Sequence, residues 1–308
     1  MDQVANGGKL QDHNETNERF PVELPDHLRD LADRSTRDLT SEQSQSVKHL
    51  LLEFQDIFSK GDFDLGLFKG IQHKINTGNA QPVKSKLRRT PLGFQTEEEE
   101  HLKSMLDKGI IVPSVSEWSS APVLVRKKDG TVRYCIDFRG VNKVTKKDAF
   151  PLPNMEECLD TLGKNNFMST LDMAQGYYQI EVDPDDRHKL AFITRYGLFE
   201  FVRMPFGTCN SPATFQRVIQ LVLQGLNWKE CLAYLDDVIV LGQSFEEHLI
   251  NLRAVFERFR THNLKLKPKK MSSLQEGASV SWSLCYRKRG QHHYRECEMY
   301  GRMADTQM

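Results

Sequence analysis

Cys231-Leu-Ala-Tyr234-Leu235-Asp236-Asp237-Val-Ile-Val-Leu241 sets two adjacent carboxylates between two apolar runs, a pattern that predicts a β-hairpin with the aspartates at its turn. Ionised groups inside a buried hairpin destabilise it unless a cation compensates them. Neighbours along a strand face opposite ways, so both carboxylates reach one place only at the turn. An ordinary Asp-rich turn would give the same tetrapeptide, which therefore decides nothing alone. Upstream, Asp172 ends the strand-like run Phe167 to Leu171 and precedes Met173-Ala-Gln-Gly-Tyr-Tyr178, a turn that leads the chain away. A strand-end cap is the plain reading of Asp172. A sheet that sets it beside the hairpin would instead make a carboxylate cluster, the oxygen donor set that Mg²⁺ takes together with phosphates and water. Two such ions, about 4 Å apart, activate an attacking hydroxyl and stabilise the leaving group of an in-line phosphoryl displacement.

Outward from this centre, Ser244-Phe-Glu-Glu247 forms a capping box that opens a helix with Leu249, Leu252, Val255, Phe256 and Phe259 on one side, and Leu264 to Lys267 reads as a closing strand. Strand-like runs Lys189 to Thr194 and Leu198 to Arg203 precede a helix with Ser211 as cap and Pro212 in its first turn, ending near Leu226. Ala121 to Arg126 and Thr131 to Arg139 predict a hairpin across Lys127-Lys128-Asp129-Gly130, with a basic tip. Thr96 followed by Glu97 to Glu100 caps a helix through Leu102, Met105 and Leu106 that stops at Gly109, and Ile110 to Pro113 leaves it extended. Val47, Leu50, Leu51, Phe54 and Phe58 recur at helical spacing, and a loop runs from there to about His73. This order does not force parallel crossovers, so the expected class is α+β, a mainly antiparallel sheet with helices on one face.

The 308 residues hold 39% hydrophobic side chains, enough for a core, and Lys+Arg and Asp+Glu both total 42, so any attraction for nucleic acid must come from local basic patches. No stretch approaches the roughly 18 apolar residues of a membrane span, and the start of the chain lacks a signal-peptide layout. The expectation is an intracellular protein with no membrane partner. Its cysteines (Cys135, Cys158, Cys209, Cys231, Cys285, Cys297) show no paired spacing and read as reduced thiols. Residues 1–40 have the polar composition of a disordered tail.

Leu171-Asp-Met-Ala-Gln-Gly-Tyr-Tyr-Gln-Ile180, Arg203-Met-Pro-Phe-Gly207, Ser211-Pro-Ala-Thr-Phe-Gln216 and Tyr234-Leu-Asp-Asp-Val-Ile-Val240 resemble, in order, the successive motifs of gypsy-like LTR-retrotransposon reverse transcriptases. The likeness covers roughly residues 72–270. It implies the fingers and palm of a right-hand polymerase: residues 41–71 a helix and linker, 72–166 the fingers region, 167–270 the palm. The implied reaction is RNA-directed DNA synthesis, in which a primer 3′-hydroxyl attacks the α-phosphate of a dNTP on an RNA or DNA template. Asp172 and Asp236 match the main ligands of two Mg²⁺ ions, for which Mn²⁺ can substitute, with Asp237 a supporting carboxylate and the Met173 carbonyl a backbone ligand. Tyr177 matches the ring under the incoming sugar that excludes a 2′-hydroxyl, and Phe206 a position lining the nucleotide pocket. Lys127 and Arg133 match the fingers residues that clamp the triphosphate, and Arg139 and Lys143, with Lys146 and Lys147, match a track for template phosphates.

The likeness stops after Lys270, where the family continues into a primer-gripping hairpin and a thumb. Residues 271–308 are instead rich in Arg, His, Tyr and Cys without period, an atypical tail expected to be disordered. Trp is encoded by TGG, so Trp282-Ser283 hides a glycine one base later, and the shifted frame over Ser281 to Arg289 admits the family-like string Leu-Gly-His-Cys-Val-Thr-Glu-Lys-Gly. The hypothesis is a frameshift near residues 271–280, which sequencing of the coding DNA tests: a shifted frame without thumb-like sequence ends it. A zinc module of Cys285, His292, His293 and Cys297 is the rival, but it lacks a Cys-x-x-Cys pair. A chain without primer grip and thumb leaves two functional expectations, a working polymerase or a non-catalytic remnant that binds nucleic acid.

Overall fold

The computed structural model describes residues 23–87, 90–126, 132–162 and 165–276. Two helices, α1 (Asp26–Ser35) and α2 (Ser41–Glu53), lead into the domain. A complete capping box starts α2: Thr40 Oγ1 accepts from Gln43 N, and the Gln43 side chain accepts from Thr40 N. Val47, Leu50 and Leu51 are buried as their spacing predicts. Helix α1 departs from expectation, since no fold is predicted before residue 40. Leu28, Leu31 and Ala32 are buried, and the Arg34 guanidinium donates to the carbonyls of Pro268 and Met271 at the other end of the chain. Its ordering partners are remote in sequence, so the local polar composition gives no sign of them.

The next strand, β1 (Phe68–His73), occupies what the sequence assigns to a loop. Helix α3 (Gln95–Asp107) follows Phe94 rather than a Thr96 cap, and Gly109 at φ +63° ends it as expected. Then come β2 (Ile111–Pro113) and the hairpin of β3 (Ala121–Arg126) and β4 (Val132–Asp137), in register from Ala121↔Asp137 to Arg126↔Val132. Two helices without a clear periodic signal follow, α4 (Arg139–Val144) and α5 (Met155–Leu162). The rest of the described chain comprises β5 (Phe167–Asp172), β6 (Ile180–Val182), β7 (Ala191–Thr194), β8 (Gly197–Phe201), α6 (Ser211–Val222), β9 (Cys231–Tyr234), β10 (Asp237–Gly242), α7 (Phe245–Thr261) and, inside the stretch expected to be a disordered tail, β11 (Ser272–Glu276). The cap of α6 is Asn210, one residue before Ser211, and the helix ends at Val222, short of Leu226. Ser244 caps α7 by accepting from Glu247 N, while the Glu247 carboxylate accepts from Gln243 N instead of closing the box. The expected strand Leu264–Lys267 is reduced to single bridges from Leu266 to Phe58 and Met173, because two different backbones flank it and each pairs at one residue.

The central sheet has the order β11-β5-β10-β9, all antiparallel; β2-β8-β7 forms a second antiparallel sheet, and among the described strand pairs only β1-β6 is parallel. This is the expected α+β class. Strand alternation divides the central sheet cleanly. Leu171, Ala233, Val238 and Val240 face the main core with α6 and α7, where Ser169 Oγ bonds His248 Nε2 at 2.9 Å. On the opposite face Met168, Leu232, Ile239 and Leu241 pack with Cys158 and Leu162 of α5. Asp172 and Asp237 fall on this second face, at the end where β9 turns into β10. Burial raises the thiol pKa of Cys231 to about 12, so it behaves as a core residue and stays protonated. Among the described residues no helix is long and apolar enough to cross a membrane.

Candidate active site

The register of β10 on β5 sets Asp237 directly opposite Asp172. Directly opposed residues of an antiparallel pair carry their side chains on one face, with Cβ atoms about 5 Å apart. Asp236 belongs to the two-residue connection Leu235-Asp236 between Tyr234 and Asp237. The chain turns there with Leu235 at φ +50°, a conformation unfavourable for a residue with a branched side chain. Asp172 and the adjacent pair Asp236-Asp237, more than sixty residues away in sequence, thus lie at the same end of the sheet. Asp172 is 7% exposed, and its backbone is fixed by Lys267 N donating to its carbonyl at 2.8 Å. Among the described residues no group of three or more acidic, His or Cys side chains is arranged as a formed metal cage.

The strained turn is held from behind by Gln216 of α6, which is fully buried. Its Oε1 accepts from Leu235 N at 2.7 Å and its Nε2 donates to Ala233 O at 3.1 Å, so one amide grips both sides of the residue before the turn. Sequence reasoning gives Gln216 no role. The available signal was a lone amide on a helix face otherwise made of Phe215, Val218, Ile219 and Val222. The start of α6 is tied down in turn: Ser211 Oγ donates to Pro205 O at 3.0 Å, and Thr208 Oγ1 bonds Ser211 Oγ. His73 of β1 joins them, bonding Thr214 Oγ1 at 2.9 Å and Thr208 Oγ1 at 3.3 Å. Burial lowers the His73 pKa to about 4, so the ring is neutral near pH 7.

The other sequence-chosen residues are dispersed around this centre. Met173 is buried and bridges Leu266. Tyr177 is 3% exposed, stacked on Phe206 with centroids 4.6 Å apart and tilted against Phe215 at 5.2 Å. Gly176 permits this packing, since a Cβ there would lie 2.7 Å from the Phe215 ring. Arg139 is forked onto Asp137 through two 2.8 Å bonds, and Lys143 is exposed in the last turn of α4. Arg133 stands on β4 opposite Val125, whereas Lys127 lies outside the described residues.

An antiparallel sheet that gathers carboxylates at a hairpin turn, backed by two helices and preceded by a β-ribbon, defines the fingers and palm of a nucleic-acid polymerase. The family described as reverse transcriptase (RNA-dependent DNA polymerase) matches residues 125–294, and the chain belongs to it. It is 38% identical over 246 residues to the retrovirus-related Pol polyprotein from transposon 297 of Drosophila melanogaster, a match over 78% of this chain and 23% of the relative. The Pol polyprotein from transposon gypsy of the same fly is 32% identical over 239 residues, 75% of this chain and 23% of the relative. The chain therefore spans about a quarter of these relatives. Among solved structures, the foamy viral protease-reverse transcriptase dRH in complex with double-stranded DNA superposes with a TM-score of 0.75 at 22% identity, covering 88% of this chain and 46% of that one. The foamy viral enzyme with an RNA/DNA hybrid gives 0.74 at 22%, covering 82% and 34%. At this identity the likeness is one of fold.

Proposed function

We propose that this chain carries out template-directed nucleotidyl transfer, extending a primer 3′-hydroxyl with dNTPs on an RNA or DNA template. The observation that carries the reading is the Asp237↔Asp172 register with Asp236 in the adjoining turn, found in a chain of this family. The donor set fits Mg²⁺, since it is all oxygen and lies at a sheet end where side-chain rotation can bring carboxylates onto shared ions. Asp172 and Asp236 would hold the metals, with Asp237 and the Met173 carbonyl in support. When bound, Mg²⁺ (or Mn²⁺) would polarise the α-phosphate and lower the pKa of the attacking hydroxyl. The chain's own residues do the rest. Gln216 fixes the backbone of the turn from which Asp236 and Asp237 project. Tyr177, packed between Phe206 and Phe215, would supply the ring against which a 2′-hydroxyl clashes once the nucleotide is bound. Lys127 and Arg133 would hold the triphosphate, and Arg139 and Lys143 the template phosphates. Nucleic-acid complexes of the foamy viral enzymes support a duplex partner for this fold.

Primer extension with Mg²⁺, comparing the chain with Asp236→Asn, tests the proposal. Extension that disappears in the variant while template–primer binding persists supports it. Equal extension by both chains refutes it, and binding without extension by either selects the non-catalytic reading.

A further inference from the structure

Away from the aspartates, a cavity of about 580 Å³ is lined by Lys60, Phe63, Asp64, Lys108, Arg203 and Lys265, among others. The backbone around it is closely packed. Gly66 presses so closely on the turn after α7 that a Cβ would lie 1.9 Å from Asn263 O. Lys267 pairs with Asp62 at 3.0 Å, and Gln179 Oε1 accepts from Lys265 N at 2.7 Å. The acids at the rim are already matched, Asp64 by Lys265 and Asp56 by Arg260. Lys60, Lys108 and Arg203 form no ion pair among the described residues.

Arg203 carries the argument furthest. A guanidinium offers five N–H donors in a planar fork, and burying it without good acceptors is unfavourable. Here it is half-buried, and only Nη1 is engaged, with Gly66 O at 3.4 Å and Tyr178 O at 3.5 Å, both at the long limit of a hydrogen bond. Burial pulls its pKa below the usual arginine range, and Glu181, its cross-strand neighbour, opposes that effect without forming an ion pair with it. An underused fork, two lysines outside any ion pair and an aromatic wall in one cavity call for an anion that accepts several hydrogen bonds.

We infer that this cavity binds a phosphate group without a divalent metal, Arg203 gripping it, Lys60 and Lys108 flanking it, and Phe63 packing on whatever the phosphate is attached to. The group comes either from a free polyphosphate or from a nucleic-acid strand crossing the cavity mouth.

The test uses the full chain in EDTA, with tripolyphosphate and a single-stranded oligodeoxynucleotide lacking a terminal phosphate as probes in calorimetry. Lys60 and Lys108 are exposed, so the double variant Lys60→Glu/Lys108→Glu should fold, with thermal melting as the check; Arg203→Gln is the second variant. Affinity for at least one probe should fall about tenfold or more in both, and Asp236→Asn should leave it unchanged. Loss for tripolyphosphate alone identifies a free phosphate; loss for the oligonucleotide alone identifies a strand. No binding of either probe, binding indifferent to the lysine and arginine changes, or binding lost in Asp236→Asn would overturn the inference.

Discussion

Replacing Gln216 by leucine isolates the link between α6 and the aspartate turn. The side chain is wholly buried and leucine has similar volume, so the chief effect is loss of the bonds to Leu235 N and Ala233 O. A buried polar group left without a partner costs roughly 1–3 kcal/mol. Leu235 is only partly buried, so water can recover some of that, and the expected destabilisation is about 2–4 kcal/mol. Urea denaturation measures the total, and hydrogen exchange at the Leu235 amide reports whether the loss is at the turn. Gln216→Glu sharpens the test. A protonated carboxyl can both accept from Leu235 N and donate to Ala233 O, whereas the ionised form cannot donate. Burial should raise this carboxyl's pKa in the folded state, so the variant should lose stability as pH rises above the unfolded carboxylate value. If Gln216→Leu leaves both the unfolding free energy and the Leu235 exchange rate unchanged, the amide does not hold the turn.

His73 and His248 are both buried and neutral, burial lowering each pKa from 6.5 to about 4. The unfolded chain takes up these protons first, so their contribution is complete above pH 6.5 and is lost as pH falls from 6.5 towards 4, on the order of 3 kcal/mol for each ring; urea titrations across that window, with His73→Gln as comparison, check it. Gly176→Ala drives a Cβ to 2.7 Å from the Phe215 ring and should destabilise by about 1–3 kcal/mol while loosening the Tyr177–Phe206 stack, visible in tyrosine near-UV dichroism. Adding Mn²⁺ should broaden amide resonances of Asp172, Asp236 and Asp237 first; Asp172→Asn should abolish the effect, and broadening elsewhere alone would count against the metal reading.

Much of the fold was legible because local patterns carry it. Strand-like apolar runs mark β3, β4, β5, β9 and β10, apolar spacing marks α2, and caps or stop signals mark α3 and α7 within a residue or two. The four motif strings name the same aspartates that the sheet gathers. Less visible were elements with weak periodicity or remote partners: β1 takes its order from β6, and α1 from the segment after Lys267. Leu264–Lys267 has strand-like composition but no neighbour running alongside it for more than one residue.

Residue types and spacing alone determined that this chain has a hairpin with paired carboxylates, a third aspartate at a strand end, and the motif order of a reverse transcriptase. Only the tertiary structure decided that Asp172 lies opposite Asp237, that Gln216 steadies a left-handed Leu235, and that Arg203 lines a cavity with spare donors. Side-chain alternation and capping act between near neighbours and are written in local order. Register, buried amide bonds and cavities depend on which distant backbones pack together, and that is fixed by the folded core.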